Sequence, residues 1–231
     1  MKIALLAAMS AEREQIQSRL SGLQTDTTFR TPLLSGRLGR AEILLCETGM
    51  GKVNAAVALA EVVGRYRPDC VISTGVAGGL DASLAVADIV ATTEVAYHDV
   101  DFGPGNVLGQ VQGLPPRFAS DPAMVAAARA LPSDLSVFTG LQVSGDAFIT
   151  SAEKRNRIKA DFPEALSVDM ESGALAQTCH LYGIPFISFR VISDTPGATA
   201  DHTRQYADFW AHLAGRSLSV TRTYLDLLVN G

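Results

Sequence analysis

Charge is scarce in this chain, and no stretch concentrates it. Asp, Glu, Lys and Arg make up 19% of the 231 residues, and the net charge is −5. No basic run or stripe occurs, which argues against a surface that tracks nucleic-acid phosphates. Cysteine is equally sparse. Its three copies, Cys46, Cys70 and Cys179, are widely spaced and sit in apolar or helical stretches. Disulfide frameworks come in even sets and metal clusters in close pairs, so these read as buried thiols of a reducing compartment. The four histidines show no paired spacing either, and no metal site or cofactor motif is visible. Long apolar runs are also missing, with nothing near the roughly 18 residues of a membrane span. The opening MKIALLAAMSA loosely imitates a signal peptide, but its apolar run is short and Ala11-Glu12-Arg13-Glu14 follows at once. A first β-strand explains it better, and a cytoplasmic location away from the membrane is expected.

What the chain does have is apolar residues, 47% of the total, enough for a generous core. The length fits one large α/β domain over residues 1–231. Lys2–Ala7 reads as a buried strand, and Ser10 can cap a helix reaching about Leu20. Thr28 to Glu47 looks like a hairpin with Leu38-Gly39-Arg40 near its turn. Gly49-Met50-Gly51-Lys52 opens a helix to Tyr66. Cys70–Thr74 is a short β-branched strand running into the glycine loop TGVAGGL, and Ile89–Thr93 is another strand. Tyr97 to Phe118 is the longest irregular stretch, of a length that usually has a task such as a lid or an interface.

Asp121–Leu131 reads as a helix, Val137–Leu141 as a strand, and Thr150–Glu153 has capping-box spacing for a helix to Ala160. Ala165-Leu166 is a strand that hands over, through SVDMES, to a helix beginning near Gly173. FISFRVISD is an apolar strand ending at Ser193-Asp194; a Gly/Thr-rich flap and a last helix, about Gln205 to Leu228, follow. Strands and helices alternate without repeats or linkers. That order predicts a three-layer αβα sandwich with ligands beyond the strand ends.

Four short stretches fall at those ends: Ala8–Glu12, Gly75–Gly79, Asp169–Glu171 and Ser193-Asp194. If the strands are parallel neighbours, Glu12, Glu171 and Asp194 meet in one crevice. Carboxylates at different depths of an apolar pocket take different pKa values and divide acid and base work. Cleaving a glycosidic bond with water needs that division. Asp169 and Glu171, two residues apart, share one strand face and repel unless cations or hydroxyls come between them; a helix start is the plainer explanation. Gly49–Lys52 lacks the phosphate-loop spacing, and TGVAGGL is not a dinucleotide fingerprint. Its glycines suit a close approach of backbone to ligand. Asp146 reads equally as a turn residue or a participant. His98 beside Asp99 is either a base with its orienter or a solvated loop pair.

Taken together, ETGMGKVNAA, STGVAGGL, YHD, VSGDAFI, VDMES and RVISD stand in the order and spacing of 5′-methylthioadenosine/S-adenosylhomocysteine nucleosidases, which the chain resembles from Met1 to its last helix. The resemblance implies the nucleoside phosphorylase fold, with a central mixed, partly barrel-like sheet wrapped by helices. It implies hydrolysis of thio-substituted adenosines to adenine and a thioribose in methionine salvage, with 5′-deoxyadenosine open as a further substrate and no cofactor. By position, Glu12 matches the base that activates water and Asp194 the acid that binds adenine and protonates it at N7. Glu171 matches the acid that holds the ribose hydroxyls, with Met170 against the sugar and Asp169 behind. Phe148 would stack on adenine and the Ile149 backbone would bind its edge, while Ala77 and Gly78 line the site. Ser193 and Arg190 would support the polar groups; Met9, Met50 and Tyr206 fall near the 5′ pocket. A homodimer is implied, with the Phe102–Pro115 loop near the partner's site.

Two positions depart from the resembled pattern. Asp169 stands where the family usually has Glu, and Val76 where it usually has Ser. The loop TPGATADH also follows the family poorly. A phosphorylase on the same fold is the main rival, but phosphate sites favour Arg. Where phosphorylases of this fold carry their arginines, this chain has Ala8–Glu12 and Ser73. An acid there opposes an anion in a low-dielectric pocket. A non-catalytic nucleoside-binding protein is the rival from another class, and loss of one carboxylate would favour it.

Overall fold

The computed structural model describes residues 1–28, 33–132, 136–195, 202–209 and 219–230. In chain order it has β1 (Lys2–Ala7), α1 (Ser10–Gln17), β2 (Ser21–Asp26), β3 (Leu33–Leu38), β4 (Ala41–Glu47) and α2 (Lys52–Tyr66). Then come β5 (Cys70–Gly79), β6 (Ile89–Tyr97), β7 (Phe118–Ala119), α3 (Pro122–Arg129), β8 (Val137–Ser144) and α4 (Ala152–Asp161). β9 (Ala165–Asp169), α5 (Ser172–Tyr182), β10 (Phe186–Asp194), α6 (His202–Asp208) and α7 (Ser219–Asn230) complete it.

Among the described residues, ten strands form one mixed sheet in the order β10-β6-β8-β9-β5-β1-β4-β3-β2, with β7 on β6. β10 also pairs with β5, so β5, β10, β6, β8 and β9 close into a ring while β1, β4, β3 and β2 extend as an open arm. Helices cover both faces. On one, α1, α3 and α7 pack Ile16, Met124, Val125 and Tyr224 onto Ile3, Leu5, Ile43 and Leu45. On the other, α2 and α5 pack Leu59, Val62, Leu175 and Cys179 onto Ala4, Leu6, Leu44 and Cys46. Each such Leu, Ile or Val stabilises the fold by about 1.5–3 kcal/mol when fully buried. The result is the expected layered α/β architecture with a partly barrel-like sheet.

Several boundaries differ from those read in the sequence, for physical reasons. β5 does not stop at Thr74 but runs on through the glycines, because β10 supplies ladder partners from Arg190↔Gly75 to Ile192↔Ala77. Ser10 is the first residue of α1 rather than its cap; Met9 takes that place, the helix ends at Gln17, and the Ser10 hydroxyl donates to Glu47 at 2.9 Å. The cap of α4 is Ser151 rather than Thr150, its Oγ accepting from the Lys154 amide at 3.3 Å. β2 was not anticipated. It is an exposed edge strand in which Leu23 is the one large apolar residue, so it carries no apolar pattern to read. β9 is antiparallel to β5, not its parallel neighbour, and parallel to β8. Residues 196–201, which include most of TPGATADH, and residues 210–218 of the expected last helix lie outside the described residues.

Candidate active site

β1, β5 and β10 run parallel, and β9 pairs its last turn of chain with Gly78 and Gly79 at the end of β5. All four carboxyl ends therefore meet despite the reversed pairing. They surround a pocket whose empty space, counted together with its opening to solvent, is about 620 Å³. Glu12, Glu171 and Asp194 line it together with Met9, Met50, Ala77, Gly78, Phe148, Ile149, Met170, Ser193 and Tyr206. Of the residues to which the resemblance gives a role in the site, Arg190 alone stands outside the lining. It is buried directly behind the wall.

Glu12 sits in the first turn of α1, and its carboxylate reaches back over the helix start. Oε2 accepts from the amides of Ala8 (2.9 Å) and Met9 (3.1 Å), and Oε1 from that of Val76 (3.0 Å). The residue is 2% exposed. Burial raises its pKa, against the pull of Arg190 and the three amides. Gly75 makes this approach possible. Its φ of +140° leaves the ladder intact, while any Cβ there would collide with the Glu12 carboxylate and the Arg190 guanidinium. The Val76 side chain turns toward Val191 and Phe209, so this position serves Glu12 through its backbone amide.

Behind Glu12 the Arg190 guanidinium is fully engaged on one edge. Nη1 donates to the Thr74 carbonyl at 2.9 Å; Nη2 donates to Ser73 Oγ at 2.6 Å and pairs with Asp169 Oδ2 at 2.7 Å. Glu171 Oε2 lies 3.9 Å from the same nitrogen. Asp169 also accepts from the Ser172 hydroxyl at 2.5 Å and from the Ser172 amide. Glu171 in turn takes the Gly51 amide at the start of α2, at 2.9 Å. Burial, and then the Asp169 charge, push Glu171 up to about 7. The cation between the two acids is what the sequence spacing required: Asp169 holds it, and Glu171 faces the pocket.

Across the pocket, Asp194 ends β10 at 1% exposure, and Ser193 Oγ donates to its Oδ1 at 2.7 Å. Phe148, 48% exposed, meets Tyr206 edge-on with centroids 5.6 Å apart, and Tyr206 Oη contacts Met9 Sδ at 3.7 Å. Ile149 is buried beside them. α6 thus carries Tyr206 to the rim between the chain ends of β1 and β8.

The other sequence candidates resolve differently. Gly51 and Lys52 do not cradle a phosphate; their amides are taken by Glu171 and Asp146. Asp99 pairs with Lys52 at 2.8 Å rather than orienting His98 as a base. Burial lowers the His98 pKa, and its Nε2 has no partner among the described residues. Among the described residues no group of three or more His, Cys, Asp or Glu is placed to hold a metal ion. Sequence reasoning missed a polar network: Gln142, Ser167, Ser172 and Ser188 interlink behind Asp169 and Arg190. The alternation of Gln142 with Ser144, Ser167 with Asp169, and Ser188 with Arg190 in apolar strands was the available signal.

Comparison with known proteins matches residues 2–226 to the Phosphorylase superfamily. A 5′-methylthioadenosine/S-adenosylhomocysteine nucleosidase of Chromohalobacter salexigens is 40% identical over 204 residues, 87% of either chain. The nucleosidase of S. pneumoniae, solved with the transition-state inhibitor MT-ImmA, superposes with a TM-score of 0.92 at 32% identity, covering 99% of this chain and 100% of that one. The nucleosidase of Colwellia psychrerythraea, solved with adenine, gives 0.92 at 33% identity and coverage of 99% and 96%.

Proposed function

The chain belongs to the 5′-methylthioadenosine/S-adenosylhomocysteine nucleosidases of the Phosphorylase superfamily, and from that premise we propose that it hydrolyses the N-glycosidic bond of these two nucleosides. The products are adenine and the matching 5-thio-substituted ribose. One observation carries hydrolysis over phosphorolysis. Where an attacking phosphate would need a cation, the pocket presents the Glu12 carboxylate, and the nearby Arg190 faces Asp169, Ser73 and Thr74 instead. Water can approach such a carboxylate; a phosphate dianion is repelled by it.

In the reaction Glu12 takes a proton from water as the oxygen attacks C1′. The C1′–N9 bond breaks, its electron pair passes into the purine, and Asp194 delivers a proton at N7. Ser193 orients the Asp194 carboxyl group for this. Glu171 accepts the ribose hydroxyls, Met170 packs on the sugar, and Phe148 stacks on the purine with the Ile149 backbone at its edge. Met9, Met50 and Tyr206 enclose the 5′ substituent. The whole chain acts as one catalytic domain, in keeping with its single continuous sheet. It works in the cytoplasm, in methionine salvage, where the buried thiols of Cys46, Cys70 and Cys179 persist.

A homodimer is part of this reading. Met50, Val53 and Val57 on and before α2, and Phe102, Val107 and Leu108 after β6, are exposed apolar residues on segments joined by the Lys52–Asp99 pair. Covering them with a second copy would bring the partner's Phe102–Pro115 loop toward the 5′ pocket. Trimming Phe102 and Pro115 should then weaken alkylthio nucleosides more than adenine; equal losses would show a packing defect.

The deciding assay measures adenine release from methylthioadenosine with and without phosphate. A free reducing sugar in both buffers is expected. A sugar 1-phosphate would establish the phosphorylase, and binding without release a nucleoside-binding protein. Asp194→Asn should abolish turnover of methylthioadenosine yet spare a nitrophenyl riboside, whose leaving group needs no proton. Equal losses on both would remove Asp194 as the acid.

A further inference from the structure

Helix α2 starts without a side-chain cap of its own, since Gly51 occupies the cap position at φ 91°. Its first amides are instead capped from two distant segments. The Gly51 amide donates to Glu171 at 2.9 Å, and the Lys52 amide donates to Asp146 Oδ1 at 2.8 Å. Asp146 is itself held, because its amide donates to Asp99 Oδ2 at 2.8 Å. The Lys52 ammonium closes the circuit on both Asp99 oxygens, at 2.9 and 2.8 Å. Lys52, Asp146 and Asp99 thus form a ring of charge-assisted bonds across the start of α2, the loop after β8 and the loop after β6.

The ring has little slack. A Cβ on Gly51 would lie 2.9 Å from Asp146 Oδ1, and one on Gly145 would lie 2.6 Å from His98 Nε2 and 2.7 Å from the Asp99 carboxyl carbon. Asp146 precedes Phe148 and Ile149 by two and three residues, while Glu171 shares its helix terminus. Neither Lys52, Asp99 nor Asp146 lines the pocket. We propose that Asp146 is a positioning residue: through the first turn of α2 it holds the Phe148–Ile149 loop in register with Glu171, and so fixes the spacing of the purine and ribose halves of the site. This rests on the nucleosidase reading above, since only a ligand that spans both halves senses the spacing.

A spanning ligand and a half-ligand respond differently to lost register. A charge-assisted bond is worth roughly 10-fold or more in an equilibrium, so Asp146→Ala should lower kcat/KM for methylthioadenosine about 10-fold. Adenine affinity, read by calorimetry on the same preparation, should stay within about twofold. Asp146→Asn, which keeps an oxygen for the Lys52 amide, should recover most of the loss. If Asp146→Ala does not fold, Lys52→Met carries the test: it opens the ring but keeps the backbone amide, and should cost nucleoside turnover about threefold with adenine affinity unchanged. Equal losses for nucleoside and adenine, or unchanged turnover in every variant that folds, overturn the proposal. The unmodified protein in the same assay separates the two readings, because failure there to release adenine from methylthioadenosine defeats the nucleosidase itself.

Discussion

The ring and the open arm of the sheet are built from the same kind of apolar strand, yet they bury different things. In the arm, Leu5 pairs with Leu45 and Ile3 with Ile43, and along β1 and β4 both faces are packed with apolar residues. In the ring, Ser73, Thr92, Gln142, Ser167, Ser188 and Arg190 are as inaccessible as those leucines. They are linked by hydrogen bonds that end on Asp169 and the pocket. Burying a cation and a carboxylate together is seldom the cheapest way to fill a core, and an apolar set of the same volume is often as stable. The arm holds the fold; the ring spends stability to keep charges in place. Catalytic and stability effects should therefore separate between the two regions.

The hardest test of that separation is Glu12→Gln. General-base chemistry contributes roughly 10² to 10⁴ in rate, so kcat in steady-state assays should fall by at least that range with the nucleoside still bound. The substituted NH₂ must also face the Val76 or the Ala8 and Met9 amides, so a modest rise in KM should accompany it. Near-normal turnover would take Glu12 out of the mechanism.

Leu45→Ala probes the other side. Leu45 is fully buried on the arm, and truncating a core leucine costs about 2–5 kcal/mol. Chemical denaturation should show that loss, while kcat of the folded fraction stays unchanged. A fall in kcat would mean that the arm shapes the pocket as well as supporting it.

pH offers a milder probe. Glu171 is pushed from 4.5 up to about 7, by burial and then by Asp169. The folded protein thus holds this proton more tightly than the unfolded chain does. The stability from this group is complete below about pH 4.5 and is lost as pH rises through about 7. Glu171→Gln, neutral throughout, removes the slope and should gain about 1–3 kcal/mol on the parent across that window. Parallel stability curves would show that burial and Asp169 leave Glu171 unperturbed.

The smallest effect is expected at Ser188→Ala in the ring network. Its Oγ meets Ser172 Oγ at 2.7 Å, and one buried hydrogen bond is worth about 1 kcal/mol. Thermal melts should show that loss alone. A larger change in kcat than in stability would make the network part of the catalytic apparatus.

The three pocket acids were legible because each stands where an apolar strand gives way to a polar residue, at Ala8–Glu12, Asp169–Glu171 and Ser193-Asp194. The glycines of TGVAGGL were legible as a site of close approach. They were misread as a loop, because the hydrogen bonds that extend β5 come from β10, more than a hundred residues later. Ser10 and Thr150 look like caps in isolation. Met9 and Ser151 displaced them because the incoming strand and loop set where the first helical turn begins.

Sequence by itself determined the alternation of strands and helices, the apolar layers and the acids at the strand ends, since these follow from local periodicity and from residue chemistry. Only the tertiary structure decided which strands close the sheet on itself, with β9 reversed against β5 and Arg190 set between Asp169 and Glu171. It also decided that Lys52, Asp99 and Asp146 form a ring. Such pairings depend on how distant segments pack, and a hydrogen bond between residues 94 positions apart leaves no periodic trace in the chain that makes it.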